Sequence, residues 1–121
     1  MKAIKYIQGP ATNNDTVIIA SKVYSVRGFF QRLFGLLALK PLKESEGLLI
    51  KDCRSIHTMW MRYSIDVVFI NKKGRATAVY EDLVPFRFSP YIKDACSVLE
   101  LKAGSAGRAS IKIGDIISFI E

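Results

Sequence analysis

The stretch CRSIHTMWMRYSIDVVFI, residues 53–70, contains the only histidine and the only tryptophan of the chain. Its last part, residues 65–70, is apolar apart from Asp66 and is rich in β-branched and aromatic side chains. A run of this length is typical of a strand and not of a helix, and its lack of alternation indicates a strand covered on both faces. We therefore expect the rest of the fold to be organised around this strand.

Asp66 is the one charged side chain in that predicted strand. A carboxylate on a covered strand must be paired, bound by backbone amides or protonated, because an unpaired buried charge is costly. Two interpretations are open: Asp66 accepts local backbone hydrogen bonds from the bend at residues 62–64, or it lines a pocket. The first is favoured because short polar side chains often fasten turns at the start of a strand.

Residues 56–61 alternate, and a period of two places His57, Met59 and Met61 on one strand face. An imidazole and two thioethers in a row would suit Cu(I). Methionine, however, is an ordinary gap-filler in cores, and the sequence offers no second cluster of histidine and cysteine to complete a ligand shell. No metal is therefore predicted, no cofactor is implied, and the Cu(I) site is kept as an alternative.

The length of 121 residues indicates a single domain, residues 1–121, that can bury a core of its own. Eighteen basic residues against eleven acidic ones give a net charge of +7, but the basic residues are scattered. Such scatter is more typical of a solvated surface than of a nucleic-acid site, so nucleic acid is not the expected partner. The sequence does not identify the partner, and a protein or a small molecule stays open. The start, MKAIKYIQGP, lacks the apolar segment of a signal peptide, and no apolar run is long enough to span a membrane. A cytoplasmic protein with reduced thiols is expected.

The remaining periodicities predict a mainly β domain that leans towards α+β, built as a sandwich or partly closed barrel of about eight strands. Apolar residues at helical spacing predict one amphipathic helix over residues 28–39, and a Gly/Ser segment predicts a helical turn near residues 105–110. Gly74 is expected to close a hairpin turn. Outside the central stretch, strands are predicted at residues 3–7, 16–26, 47–50, 75–81, 97–101 and 116–120.

A proline-bounded loop at residues 84–90 carries two phenylalanines and Arg87, and it acts either as a lid on the core or as a binding surface. The lid is favoured. The leading functional hypothesis is a non-enzymatic binding or accessory module that uses a surface between this loop and the central stretch. Its candidate binding residues are His57, Trp60, Met61, Arg62, Asp66, Arg87 and Glu100.

The alternative function is a small hydrolytic enzyme that uses Asp66 and Glu100 as paired carboxylates, because Glu100 is a second acidic residue between apolar neighbours. Such a pair must bring its carboxyl groups within roughly 5–10 Å of each other. Placement of the two side chains on opposite faces of a sheet would exclude this alternative. The sequence contains no local signature of a nucleophile, and no catalytic residue is predicted.

Several short motifs together are similar to one family. They are Gly35-Leu36, Gly47-Leu48-Leu49, SIHTMWM with IDVVFI, the Gly74 turn, Pro85, VLELKAG and Ile113-Gly114-Asp115. In this order they resemble the uncharacterised bacterial and archaeal family catalogued as domain of unknown function 192, over residues 17–120. The resemblance implies a compact, mostly β domain with no established activity. It also implies that Met61, Asp66, Glu100 and Asp115 occupy positions typical of the family, whereas a histidine at position 57 is typical of only part of it.

Overall fold

The computed structural model describes residues 1–6, 16–27, 41–58 and 61–121. The predicted amphipathic helix at residues 28–39 lies outside the described residues. The elements are β1 (Lys2–Tyr6), β2 (Thr16–Ala20), β3 (Lys22–Arg27), β4 (Glu46–Lys51), β5 (Ile65–Asn71), β6 (Ala76–Leu83), β7 (Ala95–Lys102), α1 (Ser105–Arg108) and β8 (Ile117–Ile120). The described part of the chain is mainly β, as predicted.

The strands form two sheets, a three-stranded sheet in the order β2-β1-β8 and a five-stranded sheet in the order β3-β4-β7-β5-β6. Strands β3 and β4 are parallel, and the other neighbouring strands are antiparallel. Strand β5 lies between β7 and β6, and its residues 65–70 are all buried. This confirms the prediction of a central strand covered on both faces.

Two hydrophobic cores cover the two faces of the five-stranded sheet. The first core lies against the three-stranded sheet and includes Val68, Leu99 and Ile117. The second core lies on the other face and includes Val67 and Val98. Successive residues of a strand point to opposite faces, so β5 and β7 supply both cores at once. Full burial of each large aliphatic side chain stabilises the fold by about 1.5–3 kcal/mol.

Backbone hydrogen bonds join the two sheets at two corners. At one corner the amide of Ala76 donates to the carbonyl of Asp115 at 2.8 Å. At the other corner the amide of Val23 donates to the carbonyl of Met1 at 2.7 Å. The fold is therefore a two-sheet sandwich with linked corners. Within the described residues, the structure contains no helix that is long and apolar enough to cross a membrane.

The prediction of one strand over residues 16–26 is wrong. Strand β2 ends at Ala20 in the three-stranded sheet, and β3 begins at Lys22 in the five-stranded sheet. The amides of Ser21 and Lys22 both donate to the carbonyl of Ser45, at 2.9 and 3.1 Å, and these bonds fix the step from one sheet to the other. Because residues on both sides of the step are apolar and β-branched, the sequence pattern predicts one continuous strand.

The predicted hairpin between β5 and β6 is present. Gly74 has a φ of 80°, the left-handed region that glycine adopts without steric cost. The side-chain oxygen of Asn71 accepts hydrogen bonds from the amides of Lys73 and Arg75, both at 2.9 Å. An asparagine that caps its own turn in this way fixes the register of the two strands.

Candidate functional site

Two segments far apart in sequence meet at the edge of the second core. His57 and Phe88 form an isolated antiparallel bridge, and the amide of Thr58 donates to the carbonyl of Arg87 at 2.8 Å. The second segment belongs to the loop of residues 84–91, which we call the aromatic loop. The central stretch and the aromatic loop are thus adjacent in the structure.

Thr58 anchors the aromatic loop with its side chain as well as its backbone. Its side chain is completely buried, and its hydroxyl donates to the carbonyl of Val84 at 2.6 Å. The same oxygen accepts a hydrogen bond from the amide of Arg87 at 2.9 Å, and the carbonyl of Thr58 accepts one from the amide of Phe86 at 3.0 Å. Buried polar groups need such partners, so this threonine determines the path of the loop.

Phe86 has a left-handed backbone with a φ of 61°. A residue other than glycine held in this region costs about 1–3 kcal/mol, and such strain concentrates at binding and active sites. The hydrogen bond from the Phe86 amide to Thr58 stabilises the conformation, and the Arg87 guanidinium donates to the Phe86 carbonyl at 3.3 Å. The loop is therefore held in one shape.

The side chains of the aromatic loop point outwards. Among the described residues, eight large hydrophobic side chains are exposed, and four of them lie in this loop: Val84, Phe86, Phe88 and Tyr91. Phe88 is 72% exposed and Tyr91 is 66% exposed. The expectation that the loop acts as a lid on the core is therefore wrong for these rings, because Thr58 ties down the backbone and leaves the side chains in solvent.

The other candidate residues divide between the surface and the core. His57 is half-buried, with its ring centroid 5.9 Å from that of Phe88. Met61 is buried in the second core, whereas Arg62 and Arg87 are exposed. Trp60 lies outside the described residues. The structure thus places His57 beside the aromatic loop, which contains Arg87, and it places Met61 beneath the surface.

The interpretation of residues 56–61 as one continuous strand is wrong. The amide of Met61 donates to the carbonyl of Thr58 at 3.2 Å, and residues three apart in an extended strand do not make such a bond. His57 and Met61 therefore do not share the face of one strand, and Met59 lies outside the described residues. In the part of the chain that the structure describes, no three His, Cys, Asp or Glu side chains are grouped to hold a metal ion. The Cu(I) alternative loses the geometry on which it was based.

Asp66 is completely buried and bound by backbone amides. One carboxylate oxygen accepts a hydrogen bond from the amide of Asp82 at 2.8 Å. The other accepts from the amides of Gly104 and Ala106, both at 2.9 Å. The interpretation of Asp66 as a fastener has the right chemistry, but these partners belong to β6 and to the start of α1 and not to the bend at residues 62–64. Helix α1 confirms the helical turn predicted near residues 105–110.

Glu100 is also completely buried, but on the other side of the sheet. In the register of β5 and β7, Asp66 is opposite Leu101 and Glu100 is opposite Val67. Cross-strand partners share a face, so Asp66 faces the first core and Glu100 faces the second. The two carboxylates therefore cannot act on one substrate, and the paired-carboxylate hypothesis is wrong.

Tyr63 is a neighbour of Glu100 at the second core. Burial, together with the negative charge of Glu100, raises the pKa of the Tyr63 phenol to about 12. Both effects disfavour the phenolate, because a second negative charge in a poorly solvated region is costly. The Tyr63 hydroxyl therefore stays protonated near neutral pH and is able to donate a hydrogen bond.

Sequence reasoning missed Thr58. The residue falls within the alternating run of residues 56–61 and is not singled out there, although its side chain determines the position of the aromatic loop. The partners of Thr58 in the loop lie 26 and 29 residues away in the chain. No local pattern reports such contacts, and the only available signal was a threonine on the apolar face of an alternating segment.

Solved structures share the fold of this chain. A protein of unknown function from Novosphingobium aromaticivorans matches with a TM-score of 0.76 and 19% identity, over 98% of this chain and 84% of that one. A protein described as a putative transcription regulator, from Sinorhizobium meliloti, matches with a TM-score of 0.71 and 21% identity, over 97% of this chain and 92% of that one. At these identities the likeness shows the fold alone.

No curated protein matches the chain. The family described as "Uncharacterized ACR", domain of unknown function 192, matches residues 11–119. This range includes nearly all of residues 17–120, over which the motifs resemble the family. The chain therefore belongs to the uncharacterised family domain of unknown function 192.

Proposed function

We propose that the chain is a non-catalytic binding module that recognises a protein partner through the aromatic loop. The observation that carries this proposal is the combination of a loop fixed by Thr58 with the exposed rings of Phe86, Phe88 and Tyr91. Arg87 adds positive charge to the proposed surface, and exposed Arg62 is assigned to it because it lies close to Thr58 in the chain. Trp60 is assigned to it because it lies only two residues after Thr58 in the chain.

The energetics of recognition support this assignment. Aromatic and arginine side chains are enriched among the few residues that dominate the binding energy of protein interfaces. A loop that is already ordered loses less conformational entropy on binding than a flexible one. The strained backbone of Phe86 and the hydrogen bonds of Thr58 supply this order before any partner arrives.

Binding is favoured over catalysis by the positions of the buried carboxylates. Asp66 is occupied by three backbone amides, and Glu100 faces the opposite core. The aromatic loop itself carries no acidic residue to act as a general base. A surface of rings and a guanidinium group is suited to recognition.

Peptides selected from a displayed random library against the purified protein test the proposal. The double variant Phe86→Ala, Phe88→Ala removes two exposed rings, and Ile113→Ala is the matched control because Ile113 is 71% exposed on another turn. We expect the selected peptides to bind the double variant at least about 30-fold more weakly, the loss typical of two interface hot spots. They should bind the control as they bind the parent protein. Equal affinity for all three proteins would contradict the proposal.

A further inference from the structure

A cavity of about 330 Å³ lies at one end of the sandwich, away from the aromatic loop. It forms where β3, β4 and β5 end and where β7 begins, and β8 of the other sheet closes one side. Its floor is apolar and consists of Leu49, Ile70 and Ile117, which are buried, together with half-buried Phe119. The volume is at the lower end of the range for small-molecule sites, about 300–1,000 Å³.

The rim of this end cavity is positively charged. Arg27, Lys51 and Lys72 line it, against one carboxylate, that of Asp52. Arg27 and Asp52 form an ion pair at 2.7 Å. Neither Lys51 nor Lys72 has a carboxylate within 4.0 Å among the residues that the structure describes. Two lysines with no carboxylate partner in the described chain thus line a cavity that has an apolar floor.

We propose that the end cavity binds a small amphipathic anion, an aliphatic carboxylate whose chain covers the floor and whose head group contacts Lys51 and Lys72. Each part of this ligand is complementary to one part of the cavity. The apolar chain removes part of half-buried Phe119 from water and contacts the apolar floor, which favours binding through the hydrophobic effect. The carboxylate matches the excess of positive charge at the rim and is stabilised by charge-assisted hydrogen bonds.

Cys96, a half-buried free cysteine, is also among the residues that line the cavity. This proposal is independent of the aromatic loop, because none of the residues 84–91 lines the cavity. Failure of one proposal therefore leaves the other intact.

Titration with hexanoate, octanoate, decanoate and decanol, followed by amide chemical shifts, tests the proposal. We expect decanoate to shift the amides of Leu49, Ile70 and Phe119, with affinity rising up to about fourfold for each added methylene. Decanol should bind at least tenfold more weakly than decanoate, because it has no charge for the lysines. Equal affinity for decanol and decanoate, or shifts confined to the aromatic loop, would overturn the proposal.

Exposed lysines allow a matched comparison. The double variant Lys51→Ala, Lys72→Ala should weaken decanoate binding at least tenfold, whereas Lys43→Ala, Lys93→Ala changes the net charge equally at exposed residues that do not line the cavity. In a Cys53→Ser background, decanoate should also slow the alkylation of Cys96 by iodoacetamide several-fold. Unchanged binding by the first double variant, or an unchanged alkylation rate, would contradict the assigned site.

Discussion

Thr58 and Arg87 exchange two hydrogen bonds, and each residue is the donor in one of them. The amide of Thr58 donates to the carbonyl of Arg87 at 2.8 Å, and the amide of Arg87 donates to the hydroxyl of Thr58 at 2.9 Å. This pairing makes the aromatic loop part of the folded body, although the loop carries four exposed apolar side chains. A rigid loop with exposed rings is the feature on which the proposed binding function depends.

Thr58→Val tests the anchor, because valine keeps the shape of threonine and removes only its hydroxyl. The carbonyl of Val84 and the amide of Arg87 would each lose a partner, and we expect a loss of about 1–3 kcal/mol in the free energy of unfolding. Thr77→Val is the control, since Thr77 is half-buried and makes one longer bond, 3.3 Å to the carbonyl of Phe69. Urea denaturation measures both variants, and equal losses would contradict the special role of Thr58.

Asp66→Asn tests the fastener beneath the first core. Asparagine keeps one acceptor oxygen but turns a donating amide towards backbone N–H groups. We expect a loss of about 1.5–3 kcal/mol in the free energy of unfolding, the range for hydrogen bonds to a charged group. Asp52→Asn is the matched control: its ion pair with Arg27 is exposed, so its loss should cost at most about 1 kcal/mol. A similar cost for the two substitutions would argue against the assigned role of Asp66.

Tyr63 should make the protein less stable at alkaline pH. Its pKa is about 12 in the folded state, above the ordinary value of 10.0. Between these values the unfolded chain loses the phenolic proton and the folded chain keeps it, so the unfolded state binds fewer protons and stability falls as pH rises. Below pH 10 this contribution is fully present.

Tyr63→Phe removes that proton and should flatten the fall in stability from pH 10 to pH 12 relative to the parent protein. Denaturation curves at several alkaline pH values measure the slope, and absorbance at the tyrosinate band checks the titration directly. A slope unchanged by the substitution would show that Tyr63 ionises as readily in the folded state as in the unfolded one.

Gly74→Ala should destabilise the hairpin between β5 and β6. Gly74 has a φ of 80°, and a side chain in the left-handed region costs about 1–2 kcal/mol. An added methyl group would also lie 3.2 Å from the carbonyl oxygen of Ile117. Gly107→Ala is a control of opposite sign, because this exposed glycine lies in α1, where alanine is favoured. Its added methyl group would lie 3.1 Å from Oε1 of Glu81, which is the end of an exposed, flexible side chain that can move aside. Thermal unfolding measures both variants. A loss of stability from Gly107→Ala as large as that from Gly74→Ala would contradict the assigned role of Gly74.

The sequence could predict the central strand, its hairpin and the burial of Asp66, because all three depend on neighbouring residues. Residues 65–70 are apolar and β-branched, and Asn71 and Gly74 favour a tight turn by their own chemistry. The step at Ser21 could not be predicted, since it depends on the carbonyl of Ser45.

The candidate site was less accessible to sequence reasoning than the fold. The faces of Asp66 and Glu100 follow from the register of β5 against β7, a pairing between segments about 35 residues apart that no local pattern sets. The anchor at Thr58 likewise depends on contacts with the aromatic loop. The prolines and phenylalanines of the loop mark it in the sequence, but the direction of its rings follows only from those contacts.

The most direct test of the binding function is site-specific photo-crosslinking in cells that naturally express the protein. A benzophenone amino acid replaces Phe88 in one sample and Ile113 in another, since both side chains are more than two-thirds exposed, at 72% and 71%. We expect illumination to yield a discrete protein adduct from position 88 and none from position 113. The adduct should disappear in the Thr58→Val background, because the loop then loses two of the hydrogen bonds that hold its shape. No adduct at position 88, or the same adduct from both positions, would contradict recognition through the aromatic loop.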